Sequence, residues 1–307
     1  MSRRPTVLVT GATGLLGANF CAVASEAYEI VTGAHRHALT WPGTRPIALE
    51  LDDAGKTMAA LDLVRPEIVI HFAAMTDVDA CEKSRDAAAR INVSAPHTLA
   101  NWASRHGARM LLMSTDSVFD GTRSMSVESD LPGPINYYAE TKLRSEATVA
   151  TLEEHLIVRS NIFGWSARGK SGLAEWILEQ LRRGEEVPGF ANIWFNPLLV
   201  NTLSGMMLEL LKRDARGIVH LSSREPLSKY DFACRIACEF GYDLARIRRT
   251  TREASAPGAR RPLDTTLASL RAGPEFGLGP PSIEEEIRKF RQLDDTGFVA
   301  RLKMAVQ

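Results

Sequence analysis

No run in this 307-residue chain approaches the roughly 18 apolar residues needed to cross a bilayer, so no membrane-spanning helix is expected. Cysteine is scarce: Cys21, Cys81, Cys234 and Cys238, with no C-x-x-C pair. Cys234 and Cys238 are four apart in a helix-like run, and two thiols alone make a poor metal site. No metal is expected, and the thiols read as buried and reduced, as in a cytoplasmic protein. Net charge is missing too. Lys+Arg and Asp+Glu both total 37, which leaves nothing global to draw the chain to nucleic acid or to an anionic membrane. The opening MSRRPTVLVTG has no long apolar core, so no signal peptide is expected. Internal repeats and low-complexity segments are absent as well. What is left is an ordinary soluble globular composition, on a length that suits one large domain or a large and a small one.

Apolar runs at 6–10, 28–33, 46–51, 67–72, 108–113 and 155–160 alternate with helix-like patterns at 15–27, 54–64, 84–106 and 136–153. That alternation predicts parallel strands with covering helices. Right-handed crossovers then wind them into an α/β, Rossmann-type doubly wound parallel sheet. After about residue 160 the pattern loosens. A loop over 164–172 precedes helices at 172–183 and near 201–213, a short strand at 217–221 and a helix at 228–240. A loop over 254–264 and a final helix near 282–292 follow, the helix capped by Ser282 with Glu284 to Glu286 in its first turn. We expect residues 1–160 to form a dinucleotide-binding domain and 161–307 a smaller C-terminal substrate-binding lobe. The lobe should cover the carboxyl edge of the sheet, and the chain is free to cross back to that sheet.

Two words carry the chemistry. The segment 5-PTVLVTGATGLLGANF-20 is a strand, a glycine turn and a helix start, which makes a ready phosphate site. Gly11 allows the sharp turn, Gly14 lets a pyrophosphate approach the backbone, and Gly17 permits close packing of helix on strand. Thr13, Leu15 and Leu16 share the turn and are expected to touch the cofactor. In 138-YAETK-142, Tyr138 and Lys142 are four apart and share a helix face. A phenol with a pKa near about 10 is a poor proton donor at neutral pH, and a neighbouring cation lowers it. Moving it by about three units takes roughly 4 kcal/mol of differential stabilisation. Such a pair suits an enzyme in which a carbonyl oxygen gains a proton as hydride arrives.

The words 10-TGATGLLG-17, 72-FAAMTDVDACE-82, 114-STDSVFDG-121, 138-YAETKLRSE-146, 158-VRSNIFG-164 and 260-RRPLDTTL-267 together resemble the extended short-chain dehydrogenases/reductases. Within them the chain is most similar to the dTDP-4-dehydrorhamnose reductase group, over nearly its whole length. The resemblance implies an NAD(P)-dependent reductase of a nucleotide-activated 4-keto-6-deoxysugar. Tyr138 would protonate the C4 alkoxide, Lys142 would bond the nicotinamide ribose, and Thr115 would assist at the substrate carbonyl. Asp116 would bind a sugar hydroxyl or orient the site, or else cap the turn at Gly121. Asp52 resembles the residue that contacts adenine, Ala73 and Ala74 are small where a cofactor lies flat, and Asn92 resembles a bracing asparagine. Asn161 and Arg261 would meet the nucleotide-sugar, with Arg260 the alternative to Arg261. Trp165, Trp176 and Trp194 either stack on a base or pack in the core.

The cofactor follows from 28-YEIVTGAHRHA-38. No acid stands between Gly33 and Ala38 to bond a ribose 2′-OH, while His35 and Arg36 suit a 2′-phosphate. NADPH is therefore expected, with NADH the alternative. Three departures from the group bear on the substrate. Ser117 replaces the Glu of related dehydratases, so the second carboxyl for water elimination is absent. It also replaces the group's usual Tyr. The word 195-FNPL-198 stands where the group has Gly-Ser-Pro-Thr, which leaves the nucleotide open. Two alternatives remain beside the reductase: a nucleotide-sugar epimerase that retains NAD, and a non-catalytic NADP-binding regulatory subunit. The β subunit of methionine adenosyltransferase resembles this same group. Members are often homodimers, though no self-complementary patch here argues for one.

Overall fold

The computed structural model describes residues 3–168, 171–253 and 257–307, so parts of the 164–172 and 254–264 loops lie outside the described residues. In chain order the first half comprises β1 (Thr6–Thr10), α1 (Leu15–Ala24), β2 (Glu29–Ala34), β3 (Thr44–Ala48), α2 (Ala54–Val64), β4 (Ile68–His71), α3 (Val78–Lys83), α4 (Arg85–Ala89), α5 (Ala95–His106), β5 (Arg109–Met113), α6 (Tyr137–Val149) and β6 (His155–Arg159). The second half comprises β7 (Ile162–Phe163), α7 (Leu173–Arg182), β8 (Val187–Phe190), β9 (Trp194–Phe195), β10 (Leu198–Leu199), α8 (Val200–Lys212), β11 (Gly217–His220), β12 (Leu227–Ser228), α9 (Lys229–Glu239), β13 (Ile247–Thr250), α10 (Ala272–Phe276), α11 (Ile283–Asp295) and α12 (Phe298–Met304).

Among the described residues seven strands form one parallel sheet in the order β3-β2-β1-β4-β5-β6-β11. The winding reverses between β1 and β4, and a crevice opens outside the carboxyl ends at such a switch point. Every residue of β1 is buried, as its continuous run of apolar and β-branched residues requires when helices cover both faces. β3 starts two residues earlier than the expected 46–51. As an edge strand it pairs with β2 alone, so it tolerates Arg45 and a proline, Pro46, that a central strand would reject.

The single helix expected over 84–106 is interrupted. Between α4 and α5 lies one π turn, Arg90–Ser94. Pro96 has no N–H to give to the carbonyl of Asn92 four residues back. That carbonyl instead accepts the hydroxyl of Ser145 from α6.

The chain does cross back after residue 160. β11 is the last strand of the sheet, and Leu203, Met207 and Leu210 of α8 share one buried cluster with Leu16 and Phe20 of α1. The lobe has a separate core of Phe163, Trp165, Ile177, Leu178, Phe232, Ile236 and Phe290. Its strands are short pairs: β7 with β10, β8 with β13, and β9 with β12. Trp165 stacks on Phe290 at 4.2 Å and donates to its carbonyl at 2.8 Å, and Trp176 packs against the same cluster. Both are therefore core residues rather than base-stacking ones; Trp194 is 41% exposed. The expectation of buried thiols holds for Cys21 and Cys81 only, since Cys234 is half-buried and Cys238, at the outer end of α9, is exposed.

α11, with Ser282 bonding the Glu285 amide, is not the last helix, because α12 follows it. The residues after α12 fold back onto the segment following β2. Ala38 and Gln307 exchange two backbone hydrogen bonds at 3.1 Å, and Thr40 donates to the Ala305 carbonyl at 2.7 Å. Among the described residues no helix is long and apolar enough to cross a membrane.

Candidate active site

β1 ends at Thr10 and the chain turns at Gly11 into α1. Gly11 has φ +68°, and a Cβ there would lie 2.6 Å from the Ala73 amide nitrogen, so no larger residue fits. A Cβ on Gly17 would strike the Gly11 carbonyl, which is why α1 can come down so close on the turn. α1 has no side-chain cap and no acid in its first turn. Its leading amides and the positive end of its dipole are thus uncompensated. That donor set fits a pyrophosphate.

A cleft of about 830 Å³ starts at this turn. Thr13, Gly14, Leu15 and Leu16 line its floor, and Ala73 and Ala74 follow β4. His35 and Arg36 after β2, with Asp52 after β3, line the far end. Tyr138, Lys142, Thr115, Asp116 and Asn161 line the other end.

α6 delivers the first two of these. Asn136 caps it by accepting from the Ala139 amide at 2.9 Å, and its own amide donates to the Arg260 carbonyl. The cap fixes the helix start, so Tyr138 and Lys142 project one turn apart from the same face. Lys142 is only 3% exposed, and burial pulls its ammonium down to about 8, with Glu146 opposing that fall. Tyr138 is half-buried by surface, yet its hydroxyl lies deep enough that burial pushes the phenol above its usual range. A shared hydrogen bond with Thr115 lowers it, while Asp116 and Cys81 raise it further. Lys142 is not among the groups that act on it, so the expected acidification by the amine is absent here. The reason is desolvation, which penalises the phenolate more than any neighbour rewards it.

Thr115 caps a single 3₁₀ turn, Asp116–Val118, and its hydroxyl donates to Asp116 at 3.0 Å. Asp116 is buried and also accepts from Ser117 at 3.2 Å and from Asn161 at 2.6 Å. It does not cap the turn at Gly121. Three donors leave the carboxylate room for about one more, and the residue lines the cleft. Asp52 and Asp116 are the carboxylic acids lining the cleft among the described residues.

A buried polar layer lies behind this row. Asn92 takes the Met75 amide at 2.8 Å and gives to the Met75 carbonyl and the Thr141 hydroxyl, both at 3.0 Å. It therefore braces the exit of β4 against α6. Arg159 grips Glu146 through Nε at 2.9 Å and through a second nitrogen at 2.6 Å, and Ser114 donates to the same carboxylate. His71 pairs with Thr10 at 2.8 Å, and burial holds its imidazole down at about 3, so it is neutral.

The structure thus brings every expected site residue into one cleft except Arg261. That guanidinium pairs with Asp79 of α3 at 2.7 Å, outside the lining. Sequence reasoning missed Thr76 and Ser160 in the lining, although both lie within the resembling words 72–82 and 158–164. It also missed Lys229, which follows the Ser228 cap of α9, sits 5.9 Å over the Phe195 ring and feels Asp116, Arg261 and Arg252. Glu146 was missed as well, although it lies four residues past Lys142 on the same helix face.

Comparison with known proteins identifies the family. The dTDP-4-keto-6-deoxy-D-glucose reductase of Streptomyces niveus is 31% identical over 277 residues, 89% of this chain and 91% of that one. The methionine adenosyltransferase 2 subunit beta of Rattus norvegicus is 30% identical over 281 residues, 87% of this chain and 80% of that one. Among solved structures, a dTDP-4-dehydrorhamnose reductase from Bacillus anthracis in complex with NADP superposes with a TM-score of 0.83 at 26% identity, covering 94% of this chain and 99% of that one. Residues 5–294 match the family described as the RmlD substrate binding domain. On its fold, its cleft and that match, the chain belongs to the RmlD substrate binding domain family, the family of dTDP-4-dehydrorhamnose reductases.

Proposed function

We propose that the chain is an NADPH-dependent reductase of a nucleotide-activated 4-keto-6-deoxysugar, with hydride going to sugar C4 and Tyr138 as proton donor. One observation carries this reading: Tyr138, Lys142 and Thr115 line the same cleft as the uncapped start of α1. The amides of that helix start would hold the pyrophosphate, and Arg36 with His35 would take the 2′-phosphate. The reduced nicotinamide supplies a hydride. Thr115 would turn its hydroxyl from Asp116 to the substrate oxygen, where negative charge develops. Tyr138 would then pass its proton to that oxygen. A raised phenol still serves in this direction, because an alkoxide is more basic than any phenol. Lys142, as an ammonium, would hold the ribose. Asp116, steadied by Asn161, would accept a sugar hydroxyl.

On the substrate side, Arg261, Arg252 and Lys229 share one electrostatic neighbourhood and would face the nucleotide's phosphates. Water elimination has no second carboxyl next to Asp116, since Ser117 stands there. We place the enzyme in the cytoplasm, where such cofactors are kept reduced.

The test is NADPH consumption against a panel of nucleotide-4-ketosugars. Turnover with at least one supports the reading, and none with any of them refutes it. Stoichiometric retained NAD without net consumption would instead indicate an epimerase. A regulatory subunit is the second reading, favoured by the likeness to the methionine adenosyltransferase subunit. It predicts NADP binding, no ketosugar reduction and co-purification with a larger partner.

A further inference from the structure

We propose that Glu146 is a positioning residue for this site, holding Lys142 charged and in place through ties to Ser114 and Arg159. The proposal rests on the reductase reading above. Tyr138, Lys142 and Glu146 lie on successive turns of one face of α6. Tyr138 and Lys142 line the cleft; Glu146 does not, and it is buried behind them. Its carboxylate takes two bonds from Arg159 and one from Ser114. Ser114 is the residue before Thr115. Arg159 is the residue before Ser160 and Asn161. One carboxylate therefore joins the three elements that carry the proposed chemistry: α6, the end of β5 and the end of β6.

Charge makes the link more than a brace. Lys142 is buried, and desolvation alone would strip its proton near neutral pH. The groups around it do not offset this, Glu146 apart. His71, from β4, is neutral. Arg159, from β6, is neutralised by Glu146 itself. His220, from β11, lies 3.4 Å from Arg159 and is also neutral, held down at about 4 mainly by burial. Tyr138, from α6, is protonated, and Asp116, after β5, is taken up by Thr115, Ser117 and Asn161. Among the described residues Glu146 is the negative group that opposes the loss of the amine's proton, and its pairing with Arg159 tempers that charge without cancelling it. Arg159 in turn makes a buried carboxylate tolerable at that depth.

The test reads the amine directly. NMR titration of the Lys142 side chain in lysine-labelled full-length protein, assigned by its loss in Lys142→Arg, gives its midpoint without any substrate. In Glu146→Gln the midpoint should fall by about one unit or more, since one opposing charge at close range is removed. The alkaline limb of kcat/KM should move down with it, and kcat should fall about tenfold or more while KM for the sugar changes little.

Glu146→Gln leaves Arg159 unpaired and could unfold. The double variant Glu146→Gln with Arg159→Met leaves no lone buried charge, so it should fold and show a downward shift smaller than that of Glu146→Gln, because the Arg159 cation leaves together with the carboxylate. Glu146→Asp, which keeps the charge on a shorter stem, should restore most of the midpoint. A folded double variant whose Lys142 midpoint stays in place overturns the proposal, because a merely structural tie would change stability and leave the titration alone. If the wild type reduces no ketosugar, the reductase reading fails while the NMR midpoint still decides the role of Glu146.

Discussion

The two ends of the cleft are built from different materials. The end proposed for the cofactor is mostly backbone: a glycine turn, the open start of α1 and two alanines after β4. The end proposed for the substrate is mostly side chains from distant segments, with Asn161 on Asp116 in the lining and, beyond it, Lys229 near Asp116 and Arg261 on Asp79. Backbone sites come from short contiguous words, and they bind what every member of such a fold binds. Side-chain sites depend on which distant segments meet, and there specificity can change without disturbing the sheet.

The sharpest break in that comparison lies where the two ends join. Tyr138→Phe should lower ketosugar turnover by about 10²–10⁴-fold, the usual worth of a positioned proton donor, and leave NADPH affinity within about twofold. Stopped-flow kinetics with a fluorescence titration of NADPH would show it. Unchanged turnover would remove Tyr138 from the chemistry. At the cofactor end, Arg36→Ala should weaken NADPH by about 10–100-fold and NADH hardly at all. Equal loss for both would mean that the guanidinium does not read the 2′-phosphate.

Lys142 links the ends through pH. Its folded value of about 8 lies below its ordinary 10.5. Between these values the unfolded chain binds the extra proton, so the penalty is fully present below pH 8 and fades as pH rises from about 8 to 10.5. Lys142→Met should therefore stabilise the free protein at pH 7 by on the order of 2 kcal/mol in urea melts while abolishing turnover. In the wild type, activity should fall as pH rises through about 8. At the substrate end, Lys229→Met should raise KM for the nucleotide-sugar by about tenfold and leave NADPH affinity alone. An equal effect on the cofactor would erase the distinction between the ends.

The sequence reveals one end far more than the other, for the same reason. β1, Gly11, Gly17 and the Tyr138–Lys142 spacing are local, and the doubly wound sheet follows from the alternation of apolar runs. The π turn at Arg90–Ser94 could not be read from periodicity, because it depends on Pro96 and on Ser145 lying about 50 residues downstream. The lobe's paired strands are two to four residues long and join segments up to some 60 residues apart, too short for any alternation to register. Trp165 was ambiguous as a stacking residue because its partner, Phe290, is 125 residues away. The phenol of Tyr138 illustrates a different limit: spacing gives its neighbours but not its depth.

Gln307 and Ala305 form a short ribbon with Ala38 and Thr40, directly beyond the loop that holds His35 and Arg36. The loop that we propose reads the 2′-phosphate is thus tethered by residues far along the polypeptide. Trimming the last three residues, or fusing a bulky reporter there, would slacken that tether and, on the proposed reading, blur the preference for NADPH while leaving His35 and Arg36 in the chain.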